Sequence, residues 1–260
     1  MHKRELHRAT QRSHRASQSK KTKMKILTLT LFLFISNTIT SYATWSIIVI
    51  DPKTNEIGIA GASCTFSVYG IGGIIPGKGA IIVQAMSNKS AKKKGLQMIM
   101  ANASPQEILN AIKDPQFDPE KQQYGIVCLK YLDQPLTYTG TSTNDSKGAL
   151  TANGISVQGN TLADAGEIQA ILNAALKAQK ESLGIQEILM RALEEGAKWG
   201  GDKRCGAQKA SSAFLTIAKP GDDIDHPYLN LVVNGYNEGV NAVEALRKKF
   251  EKWKMTVSNR

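Results

Sequence analysis

Histidine is nearly absent from the part of this 260-residue chain that reads as a globular domain. His2, His7 and His14 lie before residue 44, and only His226 follows it, ahead of Pro227 in an Asp-rich loop. That excludes a multi-histidine metal centre and leaves a Ser-His-Asp or Cys-His pair a single candidate residue. Cysteine is as scarce: Cys64, Cys128 and Cys205, with no CxxC spacing. One disulfide with one free thiol and three free thiols are both open. Cys64 and Cys128 sit in apolar strand patterns, where small buried core residues are the expected reading. The apolar run Ile26–Ile35 has ten residues, too few for a bilayer core, which needs about 20. Gly70, Gly72, Gly73, Gly77 and Gly79 follow neither a GxGxxG nor a GxxxxGK[ST] spacing, so no phosphate-cradling loop and no cofactor are expected.

What is present first suggests a basic protein. The formal charge is +11, but residues 1–43 hold nine Lys/Arg and one acid, a net of +8. The remaining 24 basic and 21 acidic residues leave +3. A nucleic-acid partner is therefore not expected once the leader is set aside.

That leader has the parts of an export signal. Residues 1–23 read as a disordered upstream extension, with translation expected to start at Met24. Met24-Lys25 is a short basic n-region and Ile26–Ile35 the h-region. The polar segment Ser36–Ala43 ends with Ser41 and Ala43 in the small-x-small positions of a cut site. The expected signal peptide is 24–43, with no stable membrane anchor, a secreted or periplasmic location, and a domain over 44–255. Cleavage after Ala43 would make Thr44 the first residue. An N-terminal threonine carries a hydroxyl nucleophile and a free α-amine on one residue, which is sufficient for a hydrolase without histidine.

The domain reads in blocks. Strands are expected at Thr44–Ile50, Ile57–Ser63 and Ala80–Ala85, with the glycine-rich run before Ala80 as loop. Helices follow at Ser90–Ala101 and after Ser104-Pro105-Gln106-Glu107, a capping-box start. Lys92-Lys93-Lys94 reads as a solvated face. Strands at Tyr124–Tyr131, Leu136–Gly140 and Gly148–Gly159 precede helices at Leu162–Lys177 and Ile185–Trp199. Strands at Ser211–Ile217 and Tyr228–Asn234 and a helix at Val240–Trp253 close the chain. Blocks of strands and helices, rather than alternation, predict an α+β domain of antiparallel sheets with helices packed outside.

TWSIIVIDPKTNEIGIAGAS at 44–63, VQGN at 157–160, GGDKR at 200–204, Gln208 and SSAFLTI at 211–217 together resemble the DUF1028 family, which is assigned to the N-terminal nucleophile (Ntn) hydrolases. The resemblance implies a four-layer αββα sandwich in which the first residue of the first strand, freed by proteolysis, is the nucleophile. In proteasome-type relatives an Asp on the second strand and a Lys at the start of the third support the terminal amine. Here the second strand ends Gly61-Ala62-Ser63-Cys64, without an acid.

Thr44 is the candidate nucleophile, against an ordinary strand residue after a cut. Ser63 is a second hydroxyl candidate, or a small residue in a tight strand. Lys78 is a candidate to stabilise the Thr44 alkoxide, or a solvent-facing loop lysine. Gln158, Gly159 and Asn160 could bind substrate and donate to an oxyanion, or cap the next helix. Asp202 and Arg204 read equally as substrate contacts or as an ion pair pinning a Gly-rich turn. Asp222, Asp223 and Asp225 lack a calcium-loop order, so no metal is expected. The function expected is hydrolysis of an amide or ester bond in a small amide, peptide or cell-wall fragment. The alternative is a secreted or surface-associated binding protein without turnover. The outer helices would permit a homodimer.

Overall fold

The computed structural model of the protein describes residues 44–235 and 239–258; the signal and the cut site fall outside the described residues. The chain begins with β1 (Thr44–Ile50) and β2 (Ile57–Ser63), then β3 (Gly72–Ile75) and β4 (Gly79–Ala85). Helices α1 (Lys89–Met100) and α2 (Pro105–Ile112) follow. Next come β5 (Gln122–Cys128), β6 (Leu136–Thr139), β7 (Gly148–Ala152) and β8 (Ile155–Asn160). Then come α3 (Glu167–Lys180), α4 (Ile185–Lys198), β9 (Ser212–Ala218), β10 (Leu229–Val233) and α5 (Ala242–Ser258). One sheet has the order β10-β9-β2-β1-β8-β7 and the other β3-β4-β5-β6. The pairings are antiparallel throughout.

Three apolar cores separate four layers, giving the αββα sandwich. Side chains alternate across a strand. Trp45, Ile47 and Val49 of β1 therefore face outward, into a core with Ile171 of α3, Leu189 and Leu193 of α4 and Phe250 of α5. Ile48 and Ile50 face inward and join Ile57, Ile59, Ile82, Val127 and Phe214 between the sheets. Ile81, Val83 and Tyr124 on the far face of the smaller sheet pack with Ile99, Ile108 and Ile112 of α1 and α2. Each such Ile contributes about 1.5–3 kcal/mol on burial. Helix α2 starts on the capping box expected from Ser104 and Glu107. On the outside, Arg247 of α5 bridges Glu187 at 3.0 Å and Glu194 at 2.7 Å on α4.

Three expectations are corrected. Part of the glycine-rich loop is strand β3: Cβ atoms at Gly72 and Gly73 would lie 2.8 Å from Ile59 and Leu96, so these glycines admit close packing rather than a turn. The strand expected over Gly148–Gly159 is a hairpin, β7–β8, turning at Asn153-Gly154 with φ 69° at the glycine. Cys64 is not a core residue. It lies half-buried past the end of β2 and forms a disulfide with Cys205, Cα to Cα 5.5 Å, while Cys128 is free and buried.

Candidate active site

Thr44 opens β1 in the centre of the six-stranded sheet, paired with Asn160 on one side and Ser63 on the other. Ser63 in turn pairs with Ser212 of β9. Paired residues of an antiparallel ladder share a face, so Asn160, Thr44, Ser63 and Ser212 form one polar row. Strand periodicity puts that row on the side of Ser46, Ile48 and Ile50, toward the other sheet. Thr44 is 2 % exposed and lies at the floor of a cleft of about 570 Å³. Around it the cleft is lined by Thr65, Tyr69, Met86, Lys89 and Lys92, among others.

Behind Thr44 the space between the sheets is hydrogen-bonded rather than oily. Ser156 Oγ donates to Gln158 Oε1 at 2.6 Å, and Gln158 Nε2 to Ser46 Oγ at 2.7 Å. Ser46 Oγ donates to Gln84 Oε1 at 2.6 Å, and Gln84 Nε2 to Gln123 Oε1 at 2.8 Å. Gln84 Nε2 also reaches the Thr44 carbonyl oxygen at 3.3 Å. Gln123 Nε2 donates to the Gly159 carbonyl at 3.0 Å, and Asn160 Nδ2 donates to Gln123 Oε1 at 3.2 Å. All six of these side chains are fully buried. One acceptor is left over: Asn160 Oδ1, on the β8 residue paired with Thr44, has no hydrogen-bond partner among the described residues. Leaving a buried acceptor unsatisfied costs about 1–3 kcal/mol, so the oxygen is available to a donor that arrives later.

The loop after α4 fixes the start of β1 from outside. Trp45 is fully buried on the helix side. A Cβ at Gly201 would sit 2.8 Å from the Lys209 carbonyl and 2.9 Å from the Trp45 ring, so glycine at 201 is what lets this loop lie on the indole. The next residue, Asp202, is fully buried. Its Oδ2 accepts the Cys64 N–H at 2.6 Å and Arg204 Nη2 at 2.7 Å. With the Cys64–Cys205 disulfide, this ties the loop to the end of β2, beside Ser63. Close by, Glu167 is fully buried at the start of α3, and neither of its carboxyl oxygens has a hydrogen-bond partner. Burial raises its pKa to about 9; the Gly201 amide works the other way, but too loosely to count as a bond, and Asp202 and Asp164 add to the rise.

The expected site residues thus divide. Thr44 and Ser63 are brought together. Gln158, Gly159 and Asn160 lie behind the site as its support, and none of them lines the cleft. Asp202 and Arg204 pin a loop. Lys78 precedes β4 and donates to the Met100 carbonyl, while the Thr44 end of β4 is at Gln84. The strand between spans roughly 20 Å, so Lys78 is not beside Thr44. The cations at the cleft are Lys89 and Lys92 at the start of α1, and Lys92 belongs to the run Lys92-Lys93-Lys94 expected as a solvated face. Lys92 Nζ donates to the carbonyls of Gly70 and Gly72 on the cleft lip. Burial and then the charge of Lys89 lower its pKa. Gln84 and Gln123 carried a legible signal, as lone amides inside the apolar strands GAIIVQA and QQYGIVC. The wall of the cleft after β4 holds two non-glycine residues in the left-handed region, Ala85 (φ 67°) and Ser87 (φ 40°). Such conformations cost on the order of 1–3 kcal/mol and concentrate at functional sites.

A family model described as a family of unknown function, DUF1028, matches residues 44–243, beginning at Thr44 itself. The chain belongs to the DUF1028 family. A crystal structure of a Silicibacter pomeroyi protein of DUF1028 is similar, with TM-score 0.68 and 23% identity over 81% of this chain and 88% of that one. That likeness speaks for the DUF1028 fold. No curated protein matches. Among the described residues no group of three or more His, Cys, Asp or Glu is placed to hold a metal, and no helix is long and apolar enough to cross a membrane.

Proposed function

We propose that this protein is an exported member of the Ntn hydrolases, and that cleavage after Ala43 frees Thr44 to hydrolyse an amide or ester bond. The observation that carries this reading is the position of Thr44. It is the first residue of a central strand, at the floor of a cleft, on the polar face between two sheets. The family match beginning at Thr44 and the disulfide, which suits an oxidising compartment, support it.

The chemistry uses few groups. An α-amine has an unperturbed pKa near ~8, so roughly a tenth of it is already a free base at neutral pH. It takes the Thr44 hydroxyl proton directly or through one water, and the oxygen attacks the substrate carbonyl. The C–N or C–O bond then breaks and the leaving group departs with the proton carried by the amine. The ester left on Thr44 is cleared by water. Asn160 Oδ1 accepts one N–H of the freed amine and holds its lone pair toward the Thr44 hydroxyl. It supplies orientation in place of the acid that β2 lacks. Before cleavage the nitrogen is an amide and cannot act as a base.

The test is to treat the exported protein with a threonine-directed β-lactone and measure intact mass. One adduct per chain is expected on Thr44, and none on Thr44→Ala. No adduct on a chain that does begin at Thr44 would overturn the reading. It would favour the second one, a secreted binding protein on this fold. The distance of Lys78 from Thr44 is the observation on that side.

A further inference from the structure

We infer that the cleft over Thr44 selects a carboxylate-bearing ligand with an apolar side group, so that the bond cleaved belongs to an anionic amide or ester; this rests on the hydrolase reading only for the word cleaved. Among the described residues, the charged ones lining the cleft are Lys89 and Lys92, and no Asp or Glu lines it. Val68, Ile71, Met86 and the ring of Tyr69 supply the apolar wall. The two lysines differ in role. Lys92 is half-buried and spends its ammonium on the Gly70 and Gly72 carbonyls, which holds the lip in place. Lys89 is exposed at the cleft and remains for the ligand.

The helix bearing them breaks a local rule. The N-terminal turn of a helix favours acids, because the peptide dipoles leave positive charge there. Helix α1 has no acid in its first turn and instead has Lys89, followed by Lys92, Lys93 and Lys94. The Asn88 side chain already caps the Ser90 and Ala91 amides, so the excess positive charge is on ammonium groups, and that of Lys89 bears on Lys92. A carboxylate between Lys89 and the cleft floor relieves that repulsion. Local rules broken without a structural gain tend to mark functional sites.

The probes are N-acetylphenylalanine, which carries a carboxylate, and its neutral amide. They are titrated calorimetrically into the exported Thr44→Ala protein, so that turnover is not needed. The carboxylate should bind about tenfold more tightly than the amide, with the gap shrinking as salt is added. Lys89→Ala should abolish the gap, while Lys93→Ala, exposed and outside the cleft, should keep it. Equal binding of the two probes, no binding of either, or a gap that survives Lys89→Ala would overturn the inference. The β-lactone experiment on the unmutated protein separates the two ideas. Labelling without charge preference leaves a hydrolase of other substrates. Charge preference without labelling leaves an anion-binding cleft and removes the hydrolase.

Discussion

Along β1, the residues facing the other sheet change character halfway. Thr44 and Ser46 meet Gln84, Gln123, Gln158 and Asn160, whereas Ile48 and Ile50 join Ile57, Ile82 and Val127. The two ends of one interlayer space thus obey different rules. At the apolar end each contact is non-directional and small, and loss of a methylene costs only about 0.5–1.5 kcal/mol. At the polar end Ser46, Gln84, Gln123 and Gln158 are each both donor and acceptor in a chain. Removing one leaves others buried and unpaired. The apolar end supplies net stability. The polar end adds little net energy but fixes where the start of β1 stands, and Thr44 is that start.

The sharpest way to break this contrast is at Gln123, whose side chain meets Gln84, Asn160, Thr139, Gly148 and Gly159. Gln123→Leu keeps the volume and removes every one of those bonds. A loss of about 3–5 kcal/mol is expected in urea unfolding, since several buried polar groups lose partners at once. β-Lactone labelling of Thr44 should also fall. A loss below about 1 kcal/mol would mean that these bonds hold β1 no better than bonds to water do.

The disulfide tests the outer clamp on the same end. Cys64 and Cys205 are 141 residues apart in the chain, so the bridge restricts the unfolded state over a long loop. Replacing both by Ser should cost about 2–4 kcal/mol. Labelling of Thr44 should slow more than stability alone accounts for, because Cys64 follows Ser63. Equal labelling rates in the folded double variant would detach the clamp from the site.

Glu167 probes the helix side of the same strand start. Its folded pKa is raised to about 9 from 4.5, with burial the largest cause. The protonated form is therefore favoured by folding. Its contribution is fully present below the unfolded pKa and is lost as pH rises toward about 9. Within that window each pH unit costs about 1.4 kcal/mol. From pH 6 to pH 8 the wild type should lose up to about 2.7 kcal/mol relative to Glu167→Gln. Parallel stability–pH curves for the two proteins would refute the assignment.

Much of the frame was legible in the sequence because it depends on local pattern. Blocks of β-branched residues and the Ser104–Glu107 capping box needed only near neighbours to be read. Strand β3 was not legible, because what makes Gly72 and Gly73 a strand is Ile59 and Leu96 arriving from elsewhere. The disulfide partner of Cys64 was hidden by the same distance in sequence. At the site, the position of Thr44 as the first residue of β1 was legible from the strand pattern Thr44–Ile50. Its surroundings were not. Gln158 and Ser46 are 112 residues apart, and the polar row appears only when four strands align. Lys78 matches the position that the family resemblance implies, before a strand, yet that strand carries it to the end away from Thr44. The lysines at the cleft are Lys89 and Lys92, just after a turn that passes through left-handed Ala85 and Ser87.

The smallest expected effect is also the control for the whole comparison. Ile48 lies two residues beyond Ser46 on the same face and is fully buried in the apolar half. Ile48→Val removes one methylene and should cost about 0.5–1.5 kcal/mol. It breaks no hydrogen bond, so labelling of Thr44 should stay within about twofold of the wild type, a difference below roughly 0.5 kcal/mol. Stability loss without loss of labelling here, against loss of both at Gln123, would assign the positioning of Thr44 to the polar half. If Ile48→Val slowed labelling as much as Gln123→Leu, general loosening of β1 would explain both, and the network would have no role of its own.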